Sequence, residues 1–187
     1  FEQIYFLITI DFLSVAFYIV ETIGIISFAL SGVILAKRKD FDFVGVYIIA
    51  WLTAFGGGIF RDLILDIQPV YWIAHAEYPL MILILTFIIS LIKRIKIQEH
   101  WLTIPDTLGL ATFAITASQT AYSLNLPMII IGILATAVAT FGGVLRDVFC
   151  QEIPIIFKKG TTMYASIAFM GACLFVCLCD YALIDQF

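Results

Sequence analysis

Residues 57–62 read Gly57-Gly58-Ile59-Phe60-Arg61-Asp62, and residues 142–147 read Gly142-Gly143-Val144-Leu145-Arg146-Asp147. The pattern, two glycines and then an arginine-aspartate pair, recurs at an offset of 85. Outward from it the register holds without a gap: Thr22 meets Thr107, Gly24 meets Gly109, Phe28 meets Phe113, Ala29 meets Ala114, Ala54 meets Ala139 and Pro69 meets Pro154. Residues 21–69 and 106–154 share 13 identities in 49 positions, among them the charged and helix-breaking residues. Two greasy helices that resembled each other by chance would match leucine and isoleucine instead. The chain is an internal repeat.

Its solvent is lipid. Of 187 residues, 63% are hydrophobic and 13% charged, with a mean hydropathy of +1.08, far above an ordinary soluble domain. Only helices or closed barrels can cross a bilayer with every backbone group satisfied, and these runs do not alternate as barrel strands do. Charges therefore punctuate helical spans of roughly 20 residues. Span one lies between Asp11 and Lys37 with Glu21 inside it, and span two lies between Asp42 and Asp66. Span three runs from about Tyr78 to Ile92, extended by the snorkelling of Lys93, Arg94 and Lys96. Thr107 to Leu145 carries no charge over 39 residues, enough for spans four and five with Ser123-Leu124-Asn125-Leu126-Pro127 as the turn. Span six lies between Lys159 and Asp180. The expected architecture is an all-α integral membrane domain over 1–187, with one three-helix repeat at 12–100 and a second at 101–180.

Loop charges give the orientation. Lys37, Arg38 and Lys39 follow span one, Lys93, Arg94 and Lys96 follow span three, and Lys158 and Lys159 follow span five. Glu2, Asp11, Asp66, Glu77, Asp180 and Asp185 fall on the other side, which has no Lys or Arg. The positive-inside rule then puts the N-terminus outside and the basic loops in the cytoplasm. No basic n-region precedes the first apolar run, so no removable signal peptide is expected. Three spans per repeat is an odd number, so the second copy enters from the opposite face. Such inverted repeats often surround a solute path at their interface. The net charge of −4 leaves no basic surface for nucleic acid, and no cofactor motif, metal cage or activated nucleophile is present, so neither nucleic-acid binding nor an enzyme is expected.

Four groups of residues can carry a path. Gly57, Gly58, Gly142 and Gly143 either break their helices and expose carbonyls to permeant ions, or let two helices pack closely. Arg61, Asp62, Arg146 and Asp147 are ionisable within spans and functional by default. Each arginine is expected to pair within its motif or across the pseudo-axis, Arg61 with Asp147 and Arg146 with Asp62; the plain alternative is snorkelling to the interface. Ser27, Ser31, Thr112 and Thr116, extended by Gln119 and Thr120, form repeat-related polar stripes that either line the path or bond back to their own helices. Glu21 and Asp106 are repeat mates that serve as helix N-terminal charges or as acids at the two mouths.

The doubled Gly-Gly-x-x-Arg-Asp motif, Pro69 and Pro154, and the segment from Gly24 to Gly32 resemble the prokaryotic trimeric intracellular cation (TRIC) channels, related to bacterial membrane proteins with glycine-transporter domains. The resemblance spans about residues 20–180. It implies a homotrimer with a pore in each protomer, permeable to potassium and also sodium, with glycine-kinked second and fifth helices around the pore, in a prokaryotic inner membrane. A secondary carrier for a small solute such as glycine is the alternative. Members usually have a seventh helix; only Tyr181 to Phe187 follow Asp180, so that helix is expected to be truncated or absent here. The basic motif tied to phosphoinositides in the animal members is not matched around Arg146, so lipid regulation is not carried over.

Overall fold

A computed structural model describes the backbone of residues 2–92, 100–158 and 164–184, and the side chains of 15–92, 101–158 and 164–181. The helices are α1 (Glu2–Arg38), α2 (Phe43–Ile64), α3 (Tyr71–Ala74), α4 (Glu77–Ser90), α5 (His100–Ser123), α6 (Met128–Phe149) and α7 (Tyr164–Ile184), with one 3-10 turn at Ile155–Phe157. No strand occurs among the described residues. Lys93, Arg94, Lys96, Lys159 and Asp185, used above to place loops, lie outside them.

The six long helices pair by the 85-residue register: α1 with α5, α2 with α6, and α4 with α7. Four stretches, Val15–Arg38, Phe43–Ile64, Met128–Phe149 and Tyr164–Tyr181, are each long and apolar enough to cross a membrane. α5 has the length, 24 residues, but its hydroxyls and Asp106 dilute its apolarity. α4 is apolar but has only 14 residues. α1 exceeds the span marked by its charges: 37 residues at 1.5 Å each make about 55 Å, so it projects well past a 30 Å core.

Helix ends repeat as faithfully as helix bodies. Asp40 and Asn125 are register mates, and so are Asp66 and Gln151; all four have φ between 53° and 56°. Each reverses the chain after a helix through a left-handed residue that closes a six-residue backbone loop. Phe41 N–H donates to Ala36 O and Leu126 N–H to Ala121 O after the first pair; Ile67 N–H donates to Asp62 O and Glu152 N–H to Asp147 O, both at 2.8 Å, after the second. Asp42 caps α2 by accepting from Gly45 N at 2.8 Å. Lys37 Nζ donates to the carbonyls of Ile89 and Ile92 at 2.7 and 2.8 Å, tying the end of α1 to the end of α4.

Equivalent helices run antiparallel. Along α1, Gly24 lies against Phe113 and Thr112, Phe28 against Gly109, and Ser31 against Asp106, so numbers rise on α1 as they fall on α5. Along α2, Thr53 meets Gly142 and Gly57 meets Val138. Thr53 and Val138 are themselves register mates, as are Gly57 and Gly142. The second repeat is thus the first one turned over in the membrane. Where the halves meet, the register mates Phe28 and Phe113 stack with centroids 5.3 Å apart, both buried. Lipid supplies no hydrophobic drive between helices, so close packing holds these pairs, and small residues permit it.

Candidate functional site

α2 and α6 are helical without interruption through their glycines. The two glycines of each motif do different work. A Cβ on Gly57 would fall on the Val138 carbonyl, and one on Gly142 on the Thr53 carbonyl, so these two exist for backbone contact between α2 and α6. A Cβ on Gly58 would meet only Phe113 at 3.9 Å, and one on Gly143 would meet Asp106 Oδ1 at 3.5 Å.

Both arginines sit in the last turn of their helices and neither snorkels: Arg61 is 5% exposed and Arg146 0%. Arg61 Nε donates to Asp62 Oδ1 at 2.8 Å, and its Nη1 donates to Glu21 Oε1 at 3.2 Å. Asp62 Oδ2 accepts from Tyr71 N at 2.8 Å, and the guanidinium lies 5.9 Å from the centre of the Tyr71 ring. Arg146 repeats this. Its Nε donates to Asp147 Oδ1 at 2.8 Å; its Nη2 lies 2.7 Å from that oxygen but off its hydrogen-bonding line. Its Nη1 donates to Asp106 Oδ1 and Ser31 Oγ, and Asp147 Oδ2 accepts from Ile155 N at 3.1 Å. Tyr164 Oη donates to Asp106 Oδ2.

Arginine and aspartate therefore pair within each motif, and the cross-axis pairs Arg61 with Asp147 and Arg146 with Asp62 are not formed. Glu21 and Asp106 do not stand free at the mouths. Each is the second acid on an arginine, because 40 residues separate it from that arginine in both halves and the antiparallel packing brings the two together. Of the polar stripe, only Ser31 reaches a triad. Thr112 bonds back to Leu108 O at 2.9 Å and Thr116 to Phe113 O at 3.4 Å, while Ser27 is buried and Gln119 half-buried. Sequence reasoning did not single out Tyr71, Tyr164, or Phe28 and Phe113 as site residues; the phenylalanines had a signal, their identity across the register.

Each triad of two carboxylates and one guanidinium carries a formal charge of −1. Beside the first is a cavity lined by Glu21, Gly58, Asp62, Tyr71, Trp72 and Phe113, and beside the second is one lined by Asp106, Thr140, Gly143, Arg146, Asp147 and Tyr164. Each has room for about one water. The ten-step rise along α1 from Glu21 to Ser31 sets the triads about 15 Å apart along the helix, on either side of the phenylalanine stack. A larger vestibule of about 540 Å³ adjoins the second triad, with Arg38, Lys39, Lys158 and Glu152 in its wall along with Asp106, Asp147 and Tyr164. Lys39 and Glu152 pair at 2.7 Å, linking the α1–α2 turn to the segment after α6. The described loop cations after α1 and α6 thus gather on one face, while Glu77 and Asp180 belong to the other. Among the described residues, no group of His, Cys, Asp and Glu is arranged to hold a metal ion.

These features define a class: a polytopic helical membrane protein made of two inverted three-helix repeats, with mirrored buried charges near its pseudo-axis. The family profile described as glycine transporter matches residues 18–94 and again 103–180, the same 85-residue offset. The chain belongs to that family. It is 32% identical to the UPF0126 membrane protein YvgT of Bacillus subtilis over 83% of this chain and 77% of that one. It is 33% identical to a UPF0126 membrane protein of Vibrio cholerae over 82% and 64%, so it spans just under two thirds of that relative. Among solved structures, it superposes on a TRIC trimeric intracellular cation channel orthologue from Rhodobacter sphaeroides with a TM-score of 0.82, at 30% identity over 89% of this chain and 85% of that one. A prokaryotic TRIC channel crystallised in 0.5 M KCl gives a TM-score of 0.74 at 28% identity over 91% and 98%.

Proposed function

We propose that this chain is a cation channel permeable to potassium and sodium, with a pore inside each protomer of a homotrimer. We place it in a prokaryotic inner membrane, with the N-terminus outside and the basic loops in the cytoplasm. The observation that carries this reading is the pair of mirrored cavities, each beside a triad of charge −1, separated by the Phe28–Phe113 stack. A net negative charge repeated at two depths favours a cation over an anion at both. Buried charges of this kind are costly in a span and belong to a pathway by default. The relationship to cation channels of known structure supports the same assignment.

In this conformation the path is shut. The stacked rings fill its middle, and Gly57 and Gly142 bring the α2 and α6 backbones together at the same level. The triads hold both ends, since each arginine ties the end of its helix to α1 or α5. Conduction requires these rings and ties to part, which would admit water to groups now bonded only to protein. The hydroxyls of Ser27, Thr112 and Thr116 and the amide of Gln119 then become available as neutral oxygen ligands.

Planar-bilayer recording of purified protein tests the reading. Discrete potassium currents are expected, and Phe113→Ala should raise them by shrinking the stack. Saturable glycine uptake without unitary currents would replace the channel with a carrier. Silence in both assays from folded protein would end both readings.

A further inference from the structure

We propose that His75 and Glu77 form a proton-operated latch on the acidic face, which holds the first triad shut when that face is acidified. The inference rests on the channel reading for its flux consequence, not for its structural one.

His75 ends the short helix α3 and begins the turn into α4. Its backbone N–H donates to Tyr71 O at 3.1 Å, and its carbonyl accepts from Tyr78 N at 3.2 Å. Its Nδ1 lies 2.9 Å from Glu77 Oε1. Its ring sits over Tyr71 with centroids 4.5 Å apart, and Tyr71 in turn stacks on Tyr78 at 5.6 Å. The hydroxyls continue the chain: Tyr71 Oη donates to Tyr78 Oη at 3.2 Å, Tyr78 Oη to Thr22 Oγ1 at 2.9 Å, and Thr22 to Tyr18 O at 2.8 Å. Tyr71 is also the residue whose N–H holds Asp62 and whose ring lies beside Arg61. A partly exposed imidazole is thereby connected to a buried triad through one residue.

The charged and titratable groups around it are Tyr18 and Glu21 from α1, Arg61 and Asp62 from α2, Tyr71 from α3, and Glu77 and Tyr78 from α4, with Asp66 in the segment between α2 and α3. Only an imidazole among these ordinarily changes charge between about pH 5 and 8. Protonation converts the bond to Glu77 into a charge-assisted one and the contact with Tyr71 into a cation–π contact, both stronger than their neutral forms. Glu77 stays anionic as the pH falls, because its own backbone N–H and then His75 hold its carboxyl below the usual range. The charged latch fixes Tyr71, which fixes Asp62 and the end of α2.

Two measurements on the full chain test this. In planar bilayers, moving the acidic-face solution from about pH 7.5 to about pH 5.5 should lower potassium current roughly two- to fivefold, and the same change on the basic face should not. His75→Gln should abolish the response, and Glu77→Gln should weaken it. Independently, hydrogen exchange across residues 71–78, corrected for intrinsic rates, should slow at the lower pH in the parent and not in His75→Gln. Slowed exchange in a protein that never conducts would retire the channel and keep the latch. A pH response retained in His75→Gln, or exchange unaltered by pH in the parent, would overturn the latch.

Discussion

The two glycines of each motif make opposite predictions for one added methyl group. At Gly57 the new Cβ lands on the Val138 carbonyl, and at Gly142 on the Thr53 carbonyl, closer than the 3.0 Å below which real Cβ atoms essentially never come. The obstacle is backbone in mid-helix, so relief requires α2 and α6 to separate. Overpacking of this kind costs about 1–3 kcal/mol, and the upper part of that range applies where no side-chain end can swing away. Alanine returns about 1 kcal/mol over glycine in a helix, leaving a net loss of about 2 kcal/mol. At Gly58 and Gly143 the nearest atoms stand at 3.9 and 3.5 Å, ordinary contact distances, so only the helix-propensity gain remains. For a chain of this size about 2 kcal/mol corresponds to a fall of about 4–8 °C in Tm. Thermal unfolding of detergent-purified protein, followed by loss of the size-exclusion peak, should therefore show Gly57→Ala and Gly142→Ala falling by that much. Gly58→Ala and Gly143→Ala should hold or rise. If Gly58→Ala fell as far as Gly57→Ala, or if Gly57→Ala melted with the parent, the assignment of the first glycine to helix contact would be wrong.

Arg61→Leu and Arg146→Leu each leave two carboxylates inside the protein with no guanidinium between them, and should cost about 3–5 kcal/mol in the same melt, more than replacing Glu21, Arg61 and Asp62 together by apolar residues. Lys39 lowers the Glu152 carboxyl through its hydrogen bond and then its charge, so the pair contributes above the ordinary glutamate range and is lost as pH falls through the depressed value. Glu152→Gln should thus reduce Tm slightly at neutral pH, and the difference should vanish once the pH lies below that depressed value, the small size reflecting an exposed pair. Burial pushes the Cys150 thiol up to about 11, so near pH 8 a maleimide should label Cys150 slowly in the folded protein and readily once the protein is denatured in SDS, as mass spectrometry of the Cys150 peptide would show.

The register and the motif were legible because duplication wrote them twice, and the turn at Ser123 to Pro127 because turn-forming residues interrupt a long uncharged run. Antiparallel pairing of equivalent helices followed from counting spans, and α1 against α5 and α2 against α6 run as that count requires. Partner choice for the arginines was less legible. Sequence distance favours an adjacent aspartate, but says nothing of an acid 40 residues away until the approach of α1 to α2 is known. That both such acids are register mates was a clue already on the line. The glycines show a second limit: a glycine pair in a helix signals a break and close packing equally, and only the carbonyl facing each Cα tells them apart. A helical stripe of hydroxyls likewise signals pore lining and back-bonding equally, and in this conformation Thr112 and Thr116 donate to carbonyls of the preceding turn. α4, at Glu77–Ser90, agrees within two residues at each end with the short span expected from Tyr78 to Ile92.

The paired contacts of Gly57 with Val138 and of Gly142 with Thr53 also speak to ancestry. A half-length precursor could have formed those contacts only with a copy of itself inserted the other way up, so such a precursor had to tolerate both orientations in the bilayer. Fusion into one gene lifted that obligation and let the copies diverge. The acid facing Arg61 is now a glutamate, its counterpart facing Arg146 is one methylene shorter, and the lysines and arginines after α1 have no basic equivalents after α5.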